Sequence, residues 1–319
     1  MSPEISVLVA VYNAAEYLPV CLTAISEQSF TNLEIICVND GSKDRSLDVL
    51  HAFSAQEPRL KFIDQPNAGV AEVRNRLLQA ARGKYVAFVD ADDVIAPDYL
   101  AKLYQAAQEN KAVIAKCFFK ELSADGSILQ KARCGRLFYQ EPTTQLLSRY
   151  VCGYHDSVVW GKLFRRDFIE EKKLAFTPGR VAEDLPFVVQ AFMEAPCITY
   201  VREALYFYRK GLSASITANS ARMAVDILRN ISELKTQLQQ RKLWNTEVLN
   251  AWLCSMVWSI CRFRKIPPEI RQASVPLQQQ AFSHVQQASR QGSRRWRLYV
   301  WLVSLCGWRS IYVWSKIFR

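Results

Sequence analysis

The chain has 319 residues, half of them hydrophobic, enough for one large domain or two modest ones with a proper core. Nine scattered cysteines without a CxxC pair argue against a disulfide framework or a zinc site and for a reducing compartment. Three histidines far apart in sequence (His51, His155 and His284) argue against a His-rich metal centre. The net charge of +11 is uneven: eight cations and no acid follow Glu269, which leaves +3 for everything before it.

From the amino terminus, short apolar runs alternate with amphipathic stretches, the pattern of βαβ units. Strands are expected at Ile5–Val11, Leu33–Asn39, Leu60–Ile63 and Tyr85–Val89, with helices at Glu16–Glu27, Arg45–Phe53 and Val70–Ala81 between them. Asp98 stands where an N-cap would open a helix over Tyr99–Gln108, and Ala112–Phe119 reads as a further strand. These predict an α/β fold with a mostly parallel sheet flanked by helices and right-handed crossovers. The segment from about Ser123 to Ser215 is rich in Gly, Pro and loops, a composition suited to substrate binding. From Ala218 to about Ala288 the pattern turns helical, broken at Pro267-Pro268 and at Pro276.

The amino terminus lacks a basic-then-apolar signal segment, and no uncharged apolar run is long enough to span a bilayer. Residues 291–319 differ from the rest. Trp296, Tyr299, Trp301, Trp308, Tyr312, Trp314 and Phe318 alternate with basic residues and no acid. Indoles favour the headgroup layer and cations favour anionic lipid, so this tail is expected to rest on an anionic membrane surface. A helix packed on the core is the plainer alternative, and nucleic-acid binding ranks third. The expected location is cytoplasmic, peripheral on the inner face of the cell membrane.

The apolar run Tyr85–Val89 ends in Asp90-Ala91-Asp92-Asp93. A buried strand that delivers three carboxylates to the carboxyl edge of a sheet places them where open α/β folds bind ligands. Mutually repelling carboxylates call for a hard cation, Mg²⁺ or Mn²⁺, and such cations suit a diphosphate. Solvated loop acids ahead of a helix start are the poorer explanation of three in a row.

Four segments in order, Val9-Ala10-Val11-Tyr12-Asn13, Val38-Asn39-Asp40-Gly41-Ser42-Lys43-Asp44, Asn67-Ala68-Gly69 with Arg74-Asn75, and Asp90-Ala91-Asp92-Asp93, together resemble the signature of family 2 glycosyltransferases, enzymes of the GT-A (Rossmann-like) fold. Ala10 stands where the family commonly has proline. The resemblance implies a GT-A domain over 1–216, with a nucleotide-binding half (about 1–110) and an acceptor half (about 111–216), then a helical region (217–290) and the tail. It implies donor contacts from Val11, Tyr12, Asp40, Asn67, Gly69, Arg74, Asp90 and Ala91, and a Mn²⁺ or Mg²⁺ cofactor held by Asp92 with Asp90.

Glu183-Asp184, ahead of an apolar helix at Phe187–Phe192, resembles the family's Glu-Asp motif and makes Asp184 the catalytic base. Trp160 in Trp160-Gly161-Lys162-Leu163-Phe164 becomes an acceptor platform, with a core tryptophan as the rival reading. Arg209 beside Tyr208 becomes a phosphate partner. The implied activity is inverting transfer from a nucleotide-diphosphate donor, a UDP-hexose or UDP-N-acetylhexosamine, to a hydroxyl of a glycan or lipid-linked acceptor in surface polysaccharide synthesis. A non-catalytic scaffold that binds nucleotide-sugars at the membrane is the alternative. A sugar nucleotidyltransferase is disfavoured because the turn Tyr12-Asn13-Ala14-Ala15 has neither glycine nor cation.

Overall fold

The computed structural model describes residues 2–129, 157–211, 220–245 and, beyond these, 248–249, 252–253, 256, 275–291, 294 and 296–298. The remainder of the expected tail lies outside the described residues. The chain divides into two compact units, one of residues 1–140, 158–179 and 190–215, the other of residues 141–157, 180–189 and 216–319.

The first unit carries an eight-stranded sheet. Its elements are β1 (Ile5–Val11), α1 (Leu18–Ser26), β2 (Leu33–Asp40), α2 (Ser46–Gln56), β3 (Leu60–Gln65), α3 (Val70–Ala80), β4 (Tyr85–Asp90) and β5 (Val94–Ile95). They continue with α4 (Tyr99–Glu109), β6 (Ile114–Leu122), β7 (Lys162–Arg165), α5 (Arg166–Glu171) and β8 (Ile198–Arg209). The strand order is β3-β2-β1-β4-β7-β6-β8-β5. The first four strands are parallel, as the βαβ pattern predicts. Beyond β4 the sheet is mixed, because β7 runs antiparallel to both β4 and β6, while β8 is parallel to β6 and antiparallel to β5. Periodicity cannot reveal that change, since it identifies strands without identifying their partners.

β1 and β2 are buried almost throughout. Continuous Val, Ile and Leu runs of this kind result when helices cover both faces of a parallel sheet. Strand order reverses between β1 and β4, and open α/β sheets bind ligands at the carboxyl ends of the strands at such a switch point. Register brings Val11 opposite Asn39, Ala10 opposite Asp90 and Asp40 opposite Gln65, so one edge gathers the ends of four strands. The opposite edge is closed by a buried knot. Ser6 Oγ donates to Glu34 at 2.6 Å, Gly83 N–H donates to Ser6 Oγ at 2.8 Å, and Arg82 N–H donates to Glu34 at 2.8 Å.

One local expectation changes. Asp98 occupies the N-cap position of α4 without a side-chain cap bond; its carboxylate pairs with Lys102 at 2.6 Å instead. Pro276 lies in the first turn of a helix, where the N–H that proline lacks would have no intrahelical partner.

In the second unit α7 (Ser220–Gln240) and α8 (Val275–Ser289) are helical, as the pattern predicts. The helix α6 (Asp184–Glu194) begins in this unit and ends in the first. Among the described residues no helix is long and apolar enough to cross a membrane.

Candidate active site

At the carboxyl ends of the strands, the β1–α1 and β2–α2 turns are laced to each other. Asn13 has a positive φ of 49°, and its side-chain oxygen accepts from Lys43 N–H at 2.7 Å. Its own N–H donates to Ser42 Oγ at 3.0 Å. Asp44 accepts from Ala15 N–H at 2.9 Å and from Ser46 N–H at 3.0 Å. This lacing leaves Tyr12 45% exposed beside the fully buried Val11, the position from which a ring can meet a nucleobase.

Asp40 is 4% exposed, and its carboxylate holds the loop after β3. One oxygen accepts from Gln65 Nε2 at 3.0 Å and Ala68 N–H at 2.8 Å, and the other from Gly69 N–H at 2.9 Å. Asn67 Nδ2 returns to the Asp40 carbonyl at 2.9 Å. Gly69, with φ 91°, then turns the chain into α3, a conformation most side chains resist. The Asn67-Ala68-Gly69 backbone therefore stands at a helix start beside the strand ends, where an anion is favoured.

Arg74 comes from the first turns of α3 and is 7% exposed. Its guanidinium donates to Asp90 at 2.9 Å and lies 5.7 Å above the Phe176 ring. Arg74 is thus built into the acid cluster through Asp90. Asp90, Ala91, Asp92 and Asp93 form a tight turn closed by the Asp93 N–H to Asp90 carbonyl bond at 3.0 Å. Burial and the neighbouring Asp90 charge push the half-buried Asp92 carboxyl up to about 6. Asp93 is wholly buried, and that burial with the Asp92 and Asp90 charges raises it well above the usual carboxylate range.

Asp92 therefore sits beside the Asp90 charge, which the Arg74 pairing offsets only in part, and a divalent cation would relieve the remainder. Among the described residues no group of three or more His, Cys, Asp or Glu side chains forms a ligand set. The donors present suit a cation that takes one or two carboxylates and completes its shell from diphosphate and water.

The structure gives two aromatic and basic residues different surroundings from those expected. Trp160 is 5% exposed. It stacks on Tyr206 at 4.6 Å and Tyr208 at 5.2 Å and meets Phe119 edge-on at 5.0 Å. That places it in the core rather than on an open sugar platform. Arg209 is 8% exposed. Its guanidinium donates to the carbonyls of Asp92 at 2.9 Å, Ala124 at 2.9 Å and Ser123 at 3.3 Å, and lies 5.0 Å above the Tyr17 ring. Instead of standing ready for a phosphate, it braces the Asp90–Asp93 turn.

Asp184 opens α6 in the second unit as a first-turn acid, after the buried Glu183. The three residues ahead of that pair are held by one face of α7. Val181 N–H donates to Asp226 at 2.9 Å, Asn230 Nδ2 donates to the Ala182 carbonyl at 2.9 Å, and Arg180 binds Asn230 at 2.7 Å and Glu233 at 2.6 Å. Asp226, Asn230 and Glu233 share one helical stripe. None of these three, nor Gln65, Tyr17 or Tyr206, stands among the residues expected from the sequence. For the α7 stripe alone a signal existed: two acids and an asparagine at helical spacing.

Residues 6–171, more than half the chain, match the model of Glycosyl transferase family 2, and the chain belongs to that family. The putative glycosyltransferase EpsH of Bacillus subtilis (strain 168) is 34% identical over 218 residues, which span 67% of this chain and 63% of that one. The uncharacterized glycosyltransferase EpsJ of the same strain is 28% identical over 341 residues, spanning 100% and 96%. Among solved structures, S. aureus TarS 1-349 in complex with UDP-GlcNAc superposes with a TM-score of 0.63 at 19% identity, over 98% of this chain and 90% of that one. This likeness establishes the GT-A architecture.

Proposed function

We propose that the protein is an inverting glycosyltransferase that moves one sugar from a nucleotide-diphosphate donor, a UDP-hexose or UDP-N-acetylhexosamine, to a hydroxyl of a glycan or lipid-linked acceptor in surface polysaccharide synthesis. The observation that carries the reading is the convergence of Tyr12, Asp40, the Asn67–Gly69 loop and the Asp90–Asp92 turn at one strand edge. The UDP-GlcNAc complex of TarS supports a UDP-sugar donor, and the GDP-Man and Mn²⁺ complex of a Pyrobaculum calidifontis mannosyltransferase supports a divalent cation.

In this reading Tyr12 lies against the base, Asp40 keeps the Asn67–Gly69 backbone turned toward the donor, and Asp92 with Asp90 would hold Mn²⁺ or Mg²⁺. When bound, the cation supplies positive charge beside the leaving diphosphate. Asp184 takes the proton of the acceptor hydroxyl as its oxygen attacks the anomeric carbon from the face opposite the diphosphate. One such displacement inverts the anomeric configuration. The basic aromatic tail brings the enzyme to an anionic membrane surface, where lipid-linked acceptors lie.

A panel of UDP-sugars, followed for cation-dependent release of UDP, identifies the donor. Asp184→Asn is expected to bind that donor as the wild type does and to lose transfer. Full transfer by the variant would remove Asp184 from the base role.

A further inference from the structure

The turn Asp90–Asp93 is shaped from a strand more than a hundred residues later. Tyr206 in β8 is fully buried. Its hydroxyl accepts from Asp90 N–H at 3.1 Å and donates to one Asp93 carboxylate oxygen at 2.7 Å. The other Asp93 oxygen accepts from Arg209 N–H at 2.7 Å, and Arg209 Nε returns to the Asp92 carbonyl at 2.9 Å. A single hydroxyl thus bridges the first and last residues of the turn, and the same strand grips its middle. The ring that carries the hydroxyl is itself fixed. It stacks on Trp160 with planes 10° apart and meets Tyr99 edge-on, while the Ile95–Tyr206 pairing holds its backbone.

We propose that Tyr206 is a positioning residue for the cation-binding turn. Its hydroxyl fixes the direction in which Asp90 and Asp92 present their carboxylates to a divalent cation held with a nucleoside diphosphate. The inference rests on the cation-dependent donor site proposed above. A cation chelated by few protein oxygens depends on their orientation, and partners one shell out from such ligands commonly matter tenfold or more in affinity. A tyrosine that only fills the core would find any acceptor for its hydroxyl. Tyr206 instead spends both its donor and its acceptor capacity on the two ends of this turn.

The test is calorimetric titration of the full chain with UDP, with and without saturating Mn²⁺, beside a thermal melt. Wild type is expected to bind UDP more tightly with Mn²⁺. Tyr206→Phe keeps the ring stack and removes only the hydroxyl. The Mn²⁺-dependent gain is expected to fall on the order of tenfold while the cation-free affinity stays as in wild type. A Tyr206→Phe protein with the full Mn²⁺ gain and only a lower melting temperature is a core-packing result and overturns the inference. Wild type without any Mn²⁺ gain overturns the donor-site reading itself, and this inference with it. If Tyr206→Phe does not fold, Asp93→Ala cuts the same bridge from its other end. It carries the same expectation, and an undiminished Mn²⁺ gain in it is equally fatal.

Discussion

Asp40→Asn separates two roles that a carboxylate at this position could play. The Asp40 carboxylate takes three hydrogen bonds at 2.8 to 3.0 Å, two of them from the main-chain N–H groups of Ala68 and Gly69. An amide keeps one oxygen for Gln65 and Ala68, but its NH₂ then faces the Gly69 N–H, donor against donor. Losing a bond to a charged acceptor costs about 1.5–3 kcal/mol, and a donor left unpaired in a buried place falls in the same range. The two describe one loss, about 2–3 kcal/mol, which lowers the melting midpoint of a unit this size by roughly 4–12 °C. Differential scanning calorimetry measures the midpoint, and UDP titration measures the site. Both are expected to fall, because the Asn67–Gly69 backbone loses its anchor. An unchanged midpoint with weakened UDP binding would refute the reasoning, since it would make Asp40 a direct base contact with no part in holding the loop.

Asp92→Asn is expected to leave UDP binding without metal unchanged and to abolish the gain from added Mn²⁺, read by the same titration. Gly83→Ala is a structural control at the opposite sheet edge. A Cβ there would lie 2.5 Å from Ser6 N and 2.7 Å from the Ile5 carbonyl carbon, so the melt should drop by about 1–3 kcal/mol with UDP affinity retained. Asn230→Ala removes the bonds to Arg180 and the Ala182 carbonyl just ahead of Asp184. Transfer kcat should fall while the donor dissociation constant holds, and unaltered kcat would detach the α7 stripe from the base.

The parallel half of the fold was legible because β1, β2 and β4 are buried apolar runs that end in polar turns, and each intervening helix has its own periodicity. Its strand boundaries shift by two residues or fewer, as with Leu60–Ile63 extending to Gln65. In the mixed half β6 was legible, expected at Ala112–Phe119 and found at Ile114–Leu122, but its neighbours were not. β7 has four residues and β5 two, and their partners lie far away in sequence. The site divides in the same way. Tyr12, Asp40, Asn67 and the Asp90–Asp93 run stand out in sequence because each lies at or just after a strand end, all at one edge. Trp160 was ambiguous in sequence, since a tryptophan suits both a sugar platform and a core, and the Tyr206 and Tyr208 stack decided it. Arg209 was read as a phosphate partner, and its bracing role was hidden because its three carbonyl partners lie on segments no local pattern connects. Tyr206 was missed altogether, because its importance comes from two hydrogen bonds across more than a hundred residues.

A crystal structure of the chain with UDP and Mn²⁺ tests the central claim most directly. The account predicts the uracil against Tyr12, the diphosphate beside the Asn67–Gly69 backbone, and Mn²⁺ bonded to an Asp92 oxygen. Nucleotide bound away from the β1–β4 strand ends, or Mn²⁺ bonded away from Asp92, would contradict it.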